Sequence, residues 1–145
     1  MRGRISIMHG VNLDQLDRRP PGIYGELTLP KLEEQIGEWA AELGLDARFF
    51  QSNFEGAYVE ELHRAGDYAD ALILNPGAWT HYAWAIRDAV EIAGMPTAEV
   101  HLSDVMAREE FRQVSVIRDV CVHSVWGKGP EGYREALVAL RDALA

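Results

Sequence analysis

The sequence predicts an α/β fold, a parallel sheet of five strands covered by helices on both faces, and three observations carry that reading. Short apolar runs alternate along the chain with segments of helical periodicity, the pattern of successive βαβ units. Runs such as Ala71-Leu72-Ile73-Leu74 are continuously apolar instead of alternating, as strands covered on both faces are. No linker, internal repeat or low-complexity stretch divides residues 1–145, so they read as a single domain.

The elements follow in order. Arg4–Met8 is the first strand candidate. A turn-rich stretch leads to a helix over Leu29–Leu43, with Leu32, Ile36, Trp39, Ala40 and Leu43 on one side. Thr28 is its expected N-cap, Pro30 lies in the first turn where a missing N–H costs nothing, and Gly44 stops it. Ala47–Gln51 is the second strand and Tyr58–Ala65 the next helix. Ala71–Asn75 and Thr97–His101 are the third and fourth strands, each followed by a helix, Tyr82–Ala93 and Val105–Phe111. A fifth strand over Val116–Val125 and a last helix near Gly132–Leu144 complete the chain. Five strands with helical crossovers fit a flavodoxin-like three-layer sandwich of order 2-1-3-4-5. That order places ligands at the carboxyl ends of strands, near the switch between strands 1 and 3.

Composition narrows the function. With 48% hydrophobic and 26% charged residues, the chain is that of a globular protein. A net charge of −9 argues against nucleic acid or an anionic membrane surface as partner. Cys121 is the only cysteine, so no intramolecular disulfide or Cys-based metal site is expected; between Val120 and Val122 it reads as a buried, inert thiol. The chain enters its first strand without an apolar leader, and no run reaches membrane-spanning length, so the expected location is cytoplasmic.

Each apolar run ends at residues capable of chemistry. Strand 1 leads to His9-Gly10-Val11-Asn12-Leu13 and a loop holding Arg19 and Tyr24; strand 3 leads to Asn75-Pro76-Gly77-Ala78-Trp79-Thr80-His81. Strand 4 ends in Glu99-Val100-His101-Leu102-Ser103. Strands 1, 3 and 4 are neighbours in the expected order, so these turns share one rim. Glu99 and His101, at i and i+2, share a strand face, and Arg108 and Arg112, at i and i+4, share a face of the predicted helix. A histidine with a carboxylate, beside two guanidinium groups, is an acid–base centre next to an anion site. Gly10 is isolated, with no G-x-G-x-x-G after strand 1, and no H-E-x-x-H spacing occurs, so neither a dinucleotide nor a metal is expected. His9, His63 and His123 read as structural or solvated, and Trp39, Tyr58 and Trp84 as core or subunit contacts.

Several motifs stand in a recognisable order: Gly10-x-Asn12-Leu13, Arg19 five residues before Tyr24-Gly25, and Phe50-Gln51-Ser52-Asn53-x-Glu55-Gly56. Then come Asn75-Pro76-Gly77-Ala78-x-Thr80-His81, Ala85-Ile86-Arg87-Asp88-Ala89, Glu99–Ser103 and Ala107-Arg108-Glu109-Glu110-Phe111-Arg112. With these the chain resembles the type II 3-dehydroquinate dehydratases nearly end to end. The resemblance implies a hydro-lyase of the shikimate pathway that eliminates water from 3-dehydroquinate, a small anionic cyclic substrate, through an enolate. No Schiff base, metal or cofactor is implied. Tyr24 would be the base, with Arg19 and Arg108 supplying the positive charge that makes a phenolate accessible. Asn12 would orient a water or donate to the enolate oxygen, and His101 would protonate the leaving hydroxyl, its ring held by Glu99. Asn75 and the backbone of Leu102 and Ser103 would hold the carboxylate, with Arg112 and His81 on ring hydroxyls or carboxylate. The resemblance also implies a homo-oligomer, a dodecamer of trimers, in which Asp88 reaches a neighbouring site. The cluster Trp79, Tyr82 and Trp84 reads independently as aromatic surface for subunit contact.

Departures from the family pattern cluster in the lid and rim. Val11 stands where Pro is common, Asp14 for Asn, Asp17 for Gly, Pro20 and Gly22 for Glu, and Trp79 for Tyr. Met106 and Gln113 replace frequent histidines, and Lys128 an apolar residue. Pro20-Pro21 restricts Arg19 and Pro20 to extended conformations, so a stiff lid is expected. Three alternatives stand beside the main reading: the same reaction in quinate breakdown, a paralogue acting on another cyclic hydroxy-ketone acid, and a non-enzymatic flavodoxin-like binding module. A receiver-type module would want acidic residues where Asn12 and Asn75 stand, and a flavin carrier would want hydroxyl-rich phosphate loops.

Overall fold

A computed structural model describes residues 3–145 of the chain. Strands β1 (Arg4–His9), β2 (Asp46–Gln51), β3 (Ala71–Asn75), β4 (Thr97–His101) and β5 (His123–Trp126) form one parallel sheet in the order β2-β1-β3-β4-β5. The expected flavodoxin-like order is therefore the observed one. The helices are α1 (Pro21–Tyr24, a single turn), α2 (Leu29–Glu42), α3 (Glu55–Arg64), α4 (Trp84–Ala93) and α5 (Glu131–Leu144). No helix among the described residues is long and apolar enough to cross a membrane.

Alternation along the strands feeds two cores. Ile5, Ile7, Ile73, Ala98 and Val100 meet Leu32 and Ile36 of α2 and Tyr133, Leu137 and Leu140 of α5. Met8, Leu72 and Leu74 point the other way, onto Tyr58 and Leu62 of α3 and Ile86 and Val90 of α4. Each fully buried aliphatic side chain contributes roughly 1.5–3 kcal/mol, so both faces must be apolar to stabilise the sandwich. Thr28 caps α2 as expected, its Oγ1 accepting from the Lys31 amide at 3.3 Å, and Gly44 takes the left-handed conformation just beyond (φ 72°).

Three expectations need correction. The predicted helix over Val105–Phe111 is instead two 3₁₀ turns, Val105–Ala107 and Glu110–Gln113, with Arg108 extended between them (φ −102°, ψ −163°). The Asp104 side chain accepts from the Met106 amide at 3.2 Å and caps a short turn, and only Val105 is buried, so no apolar stripe holds a longer helix. The fifth strand is confined to His123–Trp126. Ahead of it, Arg87 donates to the Val116 carbonyl (2.9 Å), which commits that backbone group to a side chain instead of a ladder. Trp79, grouped with Tyr82 and Trp84 as one aromatic surface, is buried and packs edge-on against Tyr58, 5.4 Å between centroids.

Two glycines seal the sheet's carboxyl edge. A Cβ on Gly10 would lie 2.3 Å from the Pro76 carbonyl oxygen; one on Gly77, at φ 66°, would lie 2.6 Å from that of Val11. Gly10 also donates to the Asn75 carbonyl at 2.8 Å. The turns after β1 and β3 thus interlock, and this close approach brings Asn12 and Asn75 to one cavity.

Candidate active site

That cavity, of about 170 Å³, lies where the sheet order reverses between β1 and β3. Its floor comes from the turns after β1, β3 and β4, through Asn12, Asn75, His101, Leu102 and Ser103. Its sides come from Arg19 and Tyr24, His81, and the turns bearing Arg108 and Arg112. Two members of the predicted set do not line it: Glu99 is fully buried behind His101, and Asp88 is exposed on α4.

On the β4 side, Glu99 and His101 share a face as the strand period requires, and Nε2 of His101 lies 2.7 Å from Oε2 of Glu99. Glu99 also accepts from Ser124 Oγ on β5 (2.9 Å) and from Arg118 Nε (3.1 Å). Burial pushes the Glu99 carboxyl up, but the bond and charge of His101, the Ser115 hydroxyl and Arg118 outweigh it and hold the group at about 2. A permanent carboxylate therefore fixes one imidazole nitrogen and leaves Nδ1 for the cavity. His81 stacks over His101 with 6.4 Å between centroids, and its Nδ1 donates to the Val114 carbonyl (2.6 Å). Burial above all depresses its pKa, with the charges of His101 and Arg112 adding to the effect, so His81 is neutral at pH 7 and presents Nε2 as an acceptor.

On the other side, Tyr24 closes the single turn of α1. Its hydroxyl oxygen accepts from Arg19 Nη2 (3.0 Å) and Arg108 Nη1 (2.9 Å). The Arg19 guanidinium also lies over the ring, 4.6 Å from its centroid. Arg19 is extended (φ −92°, ψ 158°), as a residue before proline must be, and Pro21 starts the turn that returns Tyr24 to it. Two cationic donors on one phenolic oxygen can hold a negative charge there. Arg108 Nη1 also lies 3.3 Å from Ser103 Oγ, while Arg112 is tied to Glu109 at 2.9 Å.

Asn12 is the one non-glycine residue with positive φ (68°) among the described residues, a conformation asparagine tolerates. Its amide donates to Asn53 Oδ1 (2.8 Å), whose amide group in turn reaches Asp14 (3.2 Å). Gln51 Nε2 donates to the Gly10 carbonyl and to Asn53, each at 3.2 Å. Gln51 and Asn53 therefore brace the turn that carries Asn12, a role the sequence reading left unassigned. Asn75 Oδ1 accepts from the Gly77 amide (3.2 Å), so it shapes its own turn while facing the cavity. The Leu102 and Ser103 carbonyls are pinned by the Gly129 and Gly127 amides (3.1 and 3.0 Å).

Arg118 and Ser124 escaped the sequence reading. Ser124 was within reach of it, since it stands opposite Glu99 in the β4–β5 register. His9 is structural, fully buried with Nε2 on Glu33 at 3.1 Å, and burial pushes the half-buried Cys121 thiol up to about 12. Among the described residues, no three His, Cys, Asp or Glu side chains are grouped to hold a metal ion.

Comparison with known proteins completes the picture. The family described as "Dehydroquinase class II" matches residues 3–141. The 3-dehydroquinate dehydratase of Pelotomaculum thermopropionicum is 48% identical over 142 residues, covering 98% of this chain and 96% of that one. That of Anoxybacillus flavithermus is 45% identical over 139 residues, covering 96% and 94%. The crystal structure of type II dehydroquinase from Butyrivibrio crossotus superimposes with a TM-score of 0.92 at 37% identity, over 97% of this chain and 98% of that one. The corresponding structure from Propionibacterium acnes gives 0.91 at 39% identity, over 98% of each. Agreement in sequence and fold across nearly the whole chain means that it belongs to the class II dehydroquinases, a family of hydro-lyases.

Proposed function

We propose that this protein dehydrates 3-dehydroquinate to 3-dehydroshikimate through an enolate, with Tyr24 as base and His101 as acid. The observation that carries the reading is the Tyr24 oxygen held between two guanidinium donors, in one cavity with the His101–Glu99 pair. The phenolate takes a proton from the carbon beside the substrate carbonyl, and the electron pair moves onto the carbonyl oxygen. Asn12, by a direct donor or an ordered water, stabilises that enolate oxygen. As the enolate collapses, the C–O bond to the tertiary hydroxyl breaks and His101 supplies the proton that lets it leave as water. Asn75 and the backbone of Leu102 and Ser103 take the carboxylate; Arg112 and neutral His81 face the ring hydroxyls.

Neither lysine of the chain, Lys31 or Lys128, lines the cavity, which supports a route without a Schiff base. Borohydride added with substrate should then leave activity intact. We assign the reaction to the shikimate route to aromatic amino acids, which genes for adjoining steps beside this one would support over quinate breakdown. The working form is a homo-oligomer, a dodecamer of trimers, with Asp88 completing a neighbour's cavity. The exposed Tyr82 and Trp84 beside α4, and Asp88 outside its own chain's cavity, support this. Incubation with 3-dehydroquinate should produce the ultraviolet absorbance of a conjugated enone; its failure to rise would sink the proposal.

A further inference from the structure

We infer that Arg118 is a positioning residue for the acid step, gripping Glu99 in competition with His101 and so keeping His101 ready to release its proton. The inference rests on His101 being the acid proposed above. Arg118 stands in the short turn Arg118–Val120, and its Nε lies 3.1 Å from Glu99 Oε1. Its Nη2 lies 3.5 Å from Oε2, the same oxygen that bonds His101 at 2.7 Å. The guanidinium rests on the Trp126 ring, 4.6 Å from its centroid, and Trp126 is in register with His101. Asp119, the nearest carboxylate in sequence, is engaged by Arg87, which leaves Arg118 to Glu99. Arg118 does not line the cavity, so it acts on the reaction only through Glu99.

One buried carboxylate thus faces two cations. When His101 is protonated, Glu99 lies between like charges that repel, and at low local dielectric this repulsion is large. Without Arg118 the carboxylate would give its whole charge to the imidazolium and hold the proton on it. The other groups facing the pair are fewer in kind. His81 stacks on His101 and is neutral, Arg112 lies on the cavity side, and Ser115 and Ser124 turn hydroxyls toward Glu99. Cys121 is a protonated thiol near the Arg118 turn.

The test compares wild type with Arg118→Gln and Arg118→Lys. The imidazole Cε1–H of His101 is titrated by NMR in histidine-labelled protein and assigned by its absence from His101→Asn. Rates on 3-dehydroquinate are followed over pH in parallel. In Arg118→Gln the His101 midpoint should rise by about one pH unit. Since the acid must be protonated, the alkaline fall in kcat moves to higher pH with it. At neutral pH kcat should drop roughly three- to tenfold while KM stays unchanged. Arg118→Lys, which keeps the charge, should titrate like wild type. A midpoint that stays put or falls in folded Arg118→Gln overturns the inference, as does a lysine variant that matches the glutamine one. Should glutamine not fold, Arg118→Met keeps the side-chain length over Trp126 and carries the same comparison. A shifted midpoint in a protein inactive on 3-dehydroquinate would instead refute the proposed reaction while leaving the Arg118–Glu99–His101 coupling intact.

Discussion

The two sides of the cavity are built differently. Glu99 and His101 stand on one strand, both buried, their 2.7 Å bond set by β-strand geometry and backed by Ser124 from the next strand. Tyr24 ends a single helical turn and Arg19 and Arg108 sit on extended loop backbone, all three half-buried. Arg108 lies 84 residues along the chain from the hydroxyl it donates to. Backbone ladders hold the acid side and side-chain hydrogen bonds hold the base side. Changes on the base side should therefore appear in rate alone, whereas changes to the buried carboxylate should appear in stability as well.

The largest effect falls on the base side. Tyr24→Phe keeps the ring and deletes the base, so turnover should drop about 10²–10⁴-fold with KM and melting temperature little changed. Near-normal turnover would move the base elsewhere, His81 first. His101→Ala separates the two steps. Solvent deuterium should still enter beside the substrate carbonyl, seen by NMR, while water loss stops; loss of exchange as well would place His101 in proton removal. Glu99→Gln should cost both rate and stability, because it leaves Arg118 facing a neutral group; breaking a buried pair costs about 3–5 kcal/mol. The pH dependence follows from the same carboxyl. It is held at about 2, below its usual 4.5, so its stabilisation is full above about 4.5 and is lost as pH falls toward 2. Denaturation of Glu99→Gln should be correspondingly flatter across that range, and an unchanged slope would show that other groups govern acid unfolding.

Arg19→Ala should slow turnover roughly 10–10²-fold, the range for losing one hydrogen bond to a charged group, with no change in melting temperature. A fall in melting temperature would mean that the arginine also holds the fold. The smallest catalytic effect belongs to Asp70→Asn. Asp70 pairs with Arg4 (3.0 Å), where β1 and β3 begin, and Arg4 holds its carboxyl at about 2. Its removal should flatten acid unfolding and leave kcat and KM unchanged; altered kcat would tie that edge of the sheet to the site.

Much of this architecture is written in the sequence. The Glu99–His101 pair and the cap at Thr28 follow from spacings of a few residues, where geometry is local. The sheet order with its shared rim follows from the βαβ alternation and the order that five such strands commonly take. The misread segment runs from Asp104 to Val122. It carries Val105, Val116 and Ile117 as buried anchors but no period, so neither helix nor strand geometry could be inferred correctly from it. That same segment holds Arg108, Arg112 and Arg118.

The sequence by itself determined the sandwich and the place of its cavity, because buried strands need apolar runs and the order 2-1-3-4-5 leaves one switch point. Strand spacing also gave the Glu99–His101 pair, while the pairing of Tyr24 with Arg19 came from the family resemblance of their motif. Only the tertiary structure showed the path by which Arg108, assigned to Tyr24 by the resemblance, reaches it, and that a second distant cation, Arg118, reaches Glu99. Arg108 meets Tyr24, and Arg118 meets Glu99, through turns shaped by Asp104 capping and by Arg87 holding Val116 and Asp119. Turns of that kind have no periodicity of their own, so their course is set by the groups that satisfy them, and those groups are far away in sequence.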